Sequence, residues 1–505
     1  MQIVLSDADV EVANLVRLTG MRESVVRAAK AEKNDEWAHI TAMLNDHQRI
    51  LALGEKHTRQ KAIQDPVHGA ILLEPWELDL ISCWEMLRLR YVKQLGPAHI
   101  VYPGATHTRF EHCIGTNYLA QKCIRVVNYC EDMNNPSFQP LSQLLDEHHQ
   151  RVFRAAALLH DVGHPPTSHT IEFALQSWVG LSHTDLGMFL VLHTDLADIL
   201  QQNGIDPKSV VDVFKSRSDD PIMKLLSEFI DSPLDIDKTD YLIRDAHFSG
   251  VELGIFPAER VLLTNRVVKD RKGFYHRAFM LKALHSLEAL VLSRSWMFAD
   301  LYLHHAVRVA EALTSKATYY RLKEESLTKN ECIGLFTRMT DGDLFRWLEQ
   351  SEIPFVREYA ARIRYRRLFK VIMAKPIALF EEEAQKRLMS FTQDIEKLVE
   401  TELLVFENPG QVIIDVVNPV LSEKLLSQIP IIIGGDNGFD LVSLASTEEG
   451  GPLLQALSQQ KRTMPAVRVY ADPKNAEVVR KKFEKMFHYR KSESHRDDQF
   501  DFSEY

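Results

Sequence analysis

The segment "ALLHDVGHPPTSH", residues 157–169, sets the hardest condition that this chain must meet in folding. Ala157, Leu158 and Leu159 close a helical pattern that belongs in a core, and His160, Asp161, His164 and His169 follow at once. Burying imidazoles and a carboxylate costs several kcal/mol unless each finds a partner. Either a hydrogen-bonded polar core or a metal ion meets that condition. The four-residue spacing predicts that His160 and His164 share a helical face. Gly163 and the Pro165–Pro166 pair are expected to end the helix and place His169 in or just after a turn. A His-Asp pair alone means little in a chain with 21 histidines.

At 505 residues the chain is too long for one simple core, which predicts two or three domains. A net charge of -10 argues against non-specific coating of nucleic acid, which leaves nucleic acid as a partner that nothing indicates. The five cysteines form no CxxC pair, so reduced thiols are expected, with no disulfide scaffold. The N-terminal residues show no secretory pattern, and no run reaches the ~18 apolar residues that span a bilayer. The expectation is a soluble, cytoplasmic protein without a membrane partner.

Helical periodicity dominates. It predicts a mainly α fold, with a short hairpin over "RQKAIQDPVHGAILLEP" and helices from about Trp76 to Val399. Beyond residue 400, "ELLVFENPGQVIIDVVNP", "IPIIIGG" and "PAVRVYAD" read as short strands, followed by the helix "PKNAEVVRKKFEKMF". The expected division is a helical extension at 1–60, a catalytic domain at 61–385, a small α+β lobe at 386–490 and a disordered tail at 491–505.

Two further segments bear on the opening question. "GATHTRFEHCIGTNYLA" puts His112 on a helix of otherwise apolar or small residues, preceded by Arg109. "DSPLDIDKTDYLIRDAHFSG" sets Asp237, Tyr241 and Asp245 along one helical face. Two histidines and two carboxylates from three separate helices form a mixed nitrogen and oxygen set that suits Mn, Fe, Zn or a similar ion, with open positions left for water and substrate.

The order H…HD…D within "RFEH", "HDVGH" and "DIDKTDY" resembles the HD-domain metal phosphohydrolases. The further runs "DPVHGAILLEP", "LRLRYVKQLG", "VYPGATHTRFEH", "RRLFK", "VIIDVVN" and "VRVYAD" are similar to their dNTP triphosphohydrolase branch, between about Lys61 and Lys485. No sterile-alpha-motif domain, a companion of the HD domain in that branch, is visible. The resemblance implies an HD helical core and hydrolysis of dNTPs to deoxynucleoside and triphosphate. It implies one divalent transition metal on His112, His160, Asp161 and Asp237, with Mg accompanying the substrate triphosphate. His164, His169, Glu172 and His183 would be catalytic. Arg109, Lys238, Tyr241 and Arg294 would bind the triphosphate. Gln94, Leu95 and Asp245 would contact the sugar, with Tyr302 crowding its 2′ position and Phe298 near the base. Lys61, Arg90 and Arg366 would form a regulatory nucleotide site in a homo-oligomer, tetramer or dimer.

The chain departs from that pattern in places. Ser82 and Leu87 stand where a regulatory guanine would be read, Phe298 replaces a histidine, and Thr184 replaces a glutamate beside His183, with Asp185 as a compensating carboxylate. Cys113 reads as a packed thiol, and His247, His304 and His305 as structural or solvent-facing. "RVVKDRKGF" reads as a solvated loop. "RYRRLFK" reads as an exposed face or, through the resemblance, a nucleotide or interface site. The competing functions are an HD hydrolase of another nucleotide or signalling phosphoester, and a binding regulator without catalysis.

Overall fold

The apolar run ahead of the His-Asp pair lies at the centre of the fold. The computed structural model describes residues 6–52, 56–129, 139–215, 219–270, 272–407, 409–417, 427–435, 438–448 and 450–489, so the 491–505 tail lies outside the described residues. Three N-terminal helices, α1 (Asp7–Thr19), α2 (Glu23–Glu32) and α3 (Asp35–Ala52), pack on Val12, Leu15, Val16, Val26, Ala29 and Ile40. They are tied to the body by the buried pair Arg17–Glu85, at 2.9 Å. A hairpin of β1 (Lys61–Asp65) and β2 (Gly69–Leu73) follows.

Helix α4 (Arg109–Val126) opens on a capping box between Thr108 and Glu111 and is buried along most of its length, Cys113 included. Against it packs α5 (Glu147–Leu159), which starts at the Asp146 cap and buries Val152, Phe153 and Ala155 through Leu159. Helix α8 (Ile236–Ser249) is capped by Asp235 and ends at Gly250, whose φ of 74° is left-handed; it covers the other side of α4. Between α5 and α8 in the chain lie α6 (Glu172–Val179) and α7 (His183–His193).

His160 and His164 do not share a helical face. Helix α5 closes at Leu159, and tighter turns follow: Val162 N–H donates to the Leu159 carbonyl (3.1 Å) and His164 N–H to the Asp161 carbonyl (3.0 Å). Two causes end the helix early, one local and one tertiary. Pro165 and Pro166 would clash with carbonyls one turn back. Gly163 crosses α7 so closely that a Cβ there would lie 2.1 Å from the Gly187 nitrogen. Thr167 and Ser168 then both take left-handed backbone (φ 59° each), held by Thr167 N–H on Asp341 Oδ1 (2.7 Å) and Ser168 Oγ on the Lys93 carbonyl (2.7 Å). His169 follows directly.

The sheets correct the expectation of helices and loops alone from about Trp76 to Val399. The first four residues of "RVVKDRKGF" are no loop: β3 (Asn265–Lys269) and β4 (Tyr275–Met280) form an antiparallel hairpin in which all of β3 but Lys269 is buried. Its partners come from far along the chain, β7 (Pro430–Gly435) parallel to β4 and β8 (Gly438–Ser443) antiparallel to β7. A three-stranded sheet orders β5 (Lys370–Lys375), β9 (Val467–Ala471) and β6 (Val412–Val416), with β9 central and buried throughout. The strand pairings therefore cross residue 385. "ELLVF" ends a helix, α11 (Ile395–Val405), so only the later part of that expected strand is extended. Helices α9 (Leu284–Met297) and α10 (His305–Glu325) carry a π-helical turn, Phe298–Tyr302, between them, and α12 (Ala476–Met486) closes the described chain. Among the described residues no helix is long and apolar enough to cross a membrane.

The β1–β2 turn also positions α8. Asp65 Oδ1 accepts from the N–H of Val67 (2.9 Å) and His68 (2.8 Å), and Asp65 Oδ2 accepts from Arg244 Nη1 (2.8 Å). Arg244 is fully buried and Asp65 nearly so. Asp65→Ala is expected to destabilise the protein by about 3–5 kcal/mol, because it leaves a buried guanidinium under-paired. Denaturant unfolding of the two proteins at neutral pH checks this.

Candidate metal centre and the cavity around it

Three segments meet at one point. His112 comes from α4, His160 and Asp161 from the turn after α5, and Asp237 from the first turn of α8. His112 Nε2 lies 2.9 Å from Asp237 Oδ1, 3.2 Å from His160 Nε2 and 3.4 Å from Asp161 Oδ2. His160 Nε2 lies 3.4 Å from Asp161 Oδ1 and 3.5 Å from Asp237 Oδ1. Both imidazoles have their other nitrogen committed: His160 Nδ1 to the Ala157 carbonyl (2.9 Å) and His112 Nδ1 to Asp240 Oδ2 (2.7 Å). That commitment turns both Nε2 atoms to the shared point. A carboxylate behind a histidine is the usual support of a metal-ligating imidazole.

Sequence reasoning missed Asp240. It is fully buried, and besides His112 it holds His68 Nε2 at 2.6 Å and Arg244 at 2.8 and 3.0 Å. Gly115 leaves room for it: a Cβ there would lie 2.0 Å from Asp240 Oδ1. The signal was present as the last acidic residue of "DIDKTD", one helical turn after Ile236 on α8, but only tertiary contact shows which of those carboxylates faces His112.

The electrostatics favour a bound cation. Burial opposes charge on His112, yet hydrogen bonds to Asp237 and Asp240 and the charge of Asp161 outweigh it and push its pKa up to about 10. Burial would raise the carboxyls of Asp161 and Asp237, but Arg109 holds the first well below its ordinary range, and His112 with His160 do so for the second. Two ionised carboxylates and two inward imidazole nitrogens, buried together, form a donor set that fits a divalent transition metal.

A second histidine cluster adjoins the first. His164 Nε2 is 3.2 Å from Asp161 Oδ1, and its ring stacks on His183 at 4.2 Å and 8°. The ring of His169 stands edge-on to both. One carboxylate orients two of the three: Glu172 accepts from His169 Nδ1 (2.9 Å) and His183 Nδ1 (2.7 Å), and these contacts keep it well below its ordinary range despite burial. Burial, with Arg109 and His183 nearby, holds His164 far below the ordinary histidine value. Asp185 closes a capping box with Ser182 at the start of α7, so the carboxylate that His183 Nδ1 meets is Glu172.

These groups open on one cavity of about 640 Å³. Gln94, Leu95, Arg109, His160, Asp161, His164, His169, His183, Asp237, Tyr241, Asp245, Phe298 and Tyr302 all line it, as do Thr184, Arg308 and Glu311. Four expected residues stand behind the wall. His112 reaches the shared point with Nε2 from behind the wall, and Glu172 holds His169 and His183; Lys238 Nζ is on Asp235 Oδ2 (2.6 Å), and Arg294 lies over the Phe298 ring at 5.4 Å. Of the expected regulatory residues, Lys61 is exposed, Arg90 sits 3.6 Å over the Phe110 ring, and Arg366 Nε donates to the Ile100 carbonyl (2.9 Å). Ser82 Oγ donates to the Leu78 carbonyl (2.7 Å). His247 is exposed, whereas His304 and His305 are half-buried. "RYRRLFK" exposes Arg364 through Arg367.

Two outcomes follow from this geometry. Asp240→Asn is expected to weaken metal retention by about 10–100-fold while His112 stays in place; metal content after graded chelation is the measurement. Glu311, on the cavity wall, is pushed up to about 7 from 4.5, because burial outweighs its pair with Arg308 and Asp415 lies close. Between those two values the folded state holds the extra proton, so stability falls as pH rises through the window. Glu311→Gln should flatten that fall and raise the unfolding midpoint at pH 8, with about 3 kcal/mol as the upper bound. Melts from pH 4.5 to 8 decide it.

Comparison with known proteins agrees with this arrangement. The HD domain family matches residues 109–245, and the HD associated region matches residues 265–498. An uncharacterized protein of Methanocaldococcus jannaschii is 26% identical over 420 residues, which cover 83% of this chain and 81% of that one. The uncharacterized protein YwfO of Bacillus subtilis is 31% identical over 267 residues, covering 52% of this chain and 56% of its own. The deoxynucleoside triphosphate triphosphohydrolase SAMHD1 of Homo sapiens is 24% identical over 364 residues, covering 62% and 55%. This chain thus spans little more than half of the last two. A crystal structure of a hypothetical protein from Aquifex aeolicus superposes with a TM-score of 0.63 at 27% identity, covering 84% of this chain and 100% of that one. These matches show that the chain carries an HD domain followed by an HD-associated region.

Proposed function

We propose that the protein is a metal-dependent phosphohydrolase that cleaves dNTPs at the α-phosphate, releasing deoxynucleoside and inorganic triphosphate. The observation that carries this reading is the juxtaposition, on one cavity wall, of a buried anionic metal centre, Arg109 and the His164–His169–His183 cluster. When bound, a divalent cation at His112, His160, Asp161 and Asp237 supplies Lewis acidity and a water of lowered pKa. Arg109 is held between Ser168 Oγ (2.9 Å) and Asp161, which aims its guanidinium at phosphate oxygens. His164, kept neutral, accepts or donates a hydrogen bond to the reacting phosphoryl group. His169, doubly protonated with Nδ1–H on Glu172, gives its Nε2 proton to the leaving 5′-oxygen. Water oxygen bonds to the α-phosphorus as the bond to the 5′-oxygen breaks, and the proton that this water sheds passes to solvent, from which His169 regains its own. Gln94 lines the cavity, and its buried Oε1 lacks a hydrogen-bond partner among the described residues, as suits a contact to a sugar hydroxyl.

One observation favours a second reading, hydrolysis of another nucleotide or phosphoester. Lys238 is paired with Asp235 and Arg294 with the Phe298 ring, so Arg109 is the cation of the expected triphosphate set that fronts the cavity. A product assay separates the two. Each dNTP and NTP, alone and mixed, with Mn or Mg, should yield intact triphosphate from dNTPs. Release of pyrophosphate, or turnover of a monoester alone, would favour the second reading. His169→Ala is expected to lower turnover about a hundredfold or more with metal content unchanged. The exposed Arg90 and Arg366, with Ser82 and Leu87 unable to pair a guanine edge, support a homo-oligomer activated by a dNTP or by no nucleotide rather than by GTP alone.

A further inference from the structure

Behind Tyr302 and Asp245 stands a residue that none of the roles above includes. Tyr302 OH donates to Asp245 Oδ2 at 2.6 Å, and Asp245 Oδ1 holds His107 Nε2 at 2.8 Å. His107 is 2% exposed and does not line the cavity; it stacks on Phe248 at 4.7 Å. Its Nδ1 is buried with no hydrogen-bond partner among the described residues. A proton on Nε2 therefore gives Asp245 its second donor and leaves the lone pair, not a bare N–H, at the unpartnered position.

We propose that His107 is a positioning residue for sugar recognition: it fixes Asp245, which fixes Tyr302, and so sets the choice between deoxyribose and ribose. The inference rests on the dNTP reading above. Tyr302 needs such support because it ends a π-helical turn, where the regular helical ladder is interrupted. Its ring meets Phe298 and Tyr241 only edge-on, at 5.1 and 6.4 Å. A carboxylate held by donors on both oxygens cannot rotate; with one donor lost it turns, and the phenol follows. Rejecting one hydroxyl by steric contact requires the ring to be held within about 0.5 Å.

The test uses the full-length, metal-loaded protein and the ratio of kcat/KM for dATP to that for ATP. His107→Phe keeps the ring stack and removes the donor; His107→Gln restores an N–H at the same reach. The dATP/ATP ratio should fall about tenfold or more in His107→Phe, through a higher KM for dATP with kcat changed less than about threefold, and should recover in His107→Gln. Tyr302→Phe breaks the chain from its other end and should lower the ratio likewise, which keeps the test open should His107→Phe not fold. An unchanged ratio in a folded His107→Phe or in Tyr302→Phe overturns the proposal, as does a His107→Gln variant no better than His107→Phe. If the wild-type protein turns over no dNTP, the proposed function fails. The same ratio is then taken from the dissociation constants of α,β-imido dATP and α,β-imido ATP with Mn. A collapsed ratio in the variants supports the role of His107; an equal ratio, or no binding of either nucleotide, overturns it.

Discussion

The bond between the buried Asp240 carboxylate and His112 Nδ1 is the contact on which the rest of the centre depends. It turns His112 Nε2 towards His160, Asp161 and Asp237, and it forces α4 and α8 to a fixed separation. A carboxylate without any exposure is tolerable only with full pairing, and Asp240 receives it from His112, His68 and Arg244. Arg244 in turn draws in Asp65, so the N-terminal hairpin is bound to the metal centre by a chain of buried charge.

Carboxylates of two kinds organise the clustered histidines. Asp161 and Asp237 crowd two imidazoles at the metal point, and a cation there relieves the repulsion between their negative charges. Glu172 has the opposite task, holding His169 and His183 by their Nδ1 atoms so that their Nε2 atoms stay free. His164 stacks flat on His183 with His169 edge-on to both, and one ring nitrogen of each lies within 4.8 Å of the others, a spacing at which the three could also share a cation.

The C-terminal residues reach back into the same structure. Strands β7 and β8 extend the β3–β4 hairpin, and Asp415 on β6 holds Arg308, whose helix also brings Glu311 to the cavity wall. Arg308 donates to Asp415 at 2.6 and 3.1 Å and to Glu311 at 2.7 Å, so one guanidinium joins the C-terminal strand to that wall. One cation between two carboxylates in a buried place leaves an excess acid, which is why Glu311 rather than Asp415 titrates upward.

Much was legible in the residues alone. Apolar periodicity marked α4, α5 and α8, because helices of this kind bury one face and their spacing records it. The resemblance named His112, His160, Asp161 and Asp237 together, and the fold brings these four side chains to one point, where two imidazoles and two carboxylates need a counter-charge. The turn after α5 was legible in part: Gly163 and the Pro165–Pro166 pair marked the stop and put His169 beyond it, but the helix closes already at Leu159, and the crossing at Gly187 that helps to close it lies outside the local sequence. Strand β4 was hidden for a like reason, since beyond its hairpin with β3 its partner β7 lies about 150 residues away. Asp240 and His107 needed the fold as well. Each is one polar residue among several in its motif, and only tertiary packing decides which of them meets His112 or Asp245. Sequence determined which chemistry the chain carries, because residue types and short spacings are local. Tertiary structure decided which groups share a carboxylate, because that depends on the distance between elements that the chain itself keeps far apart.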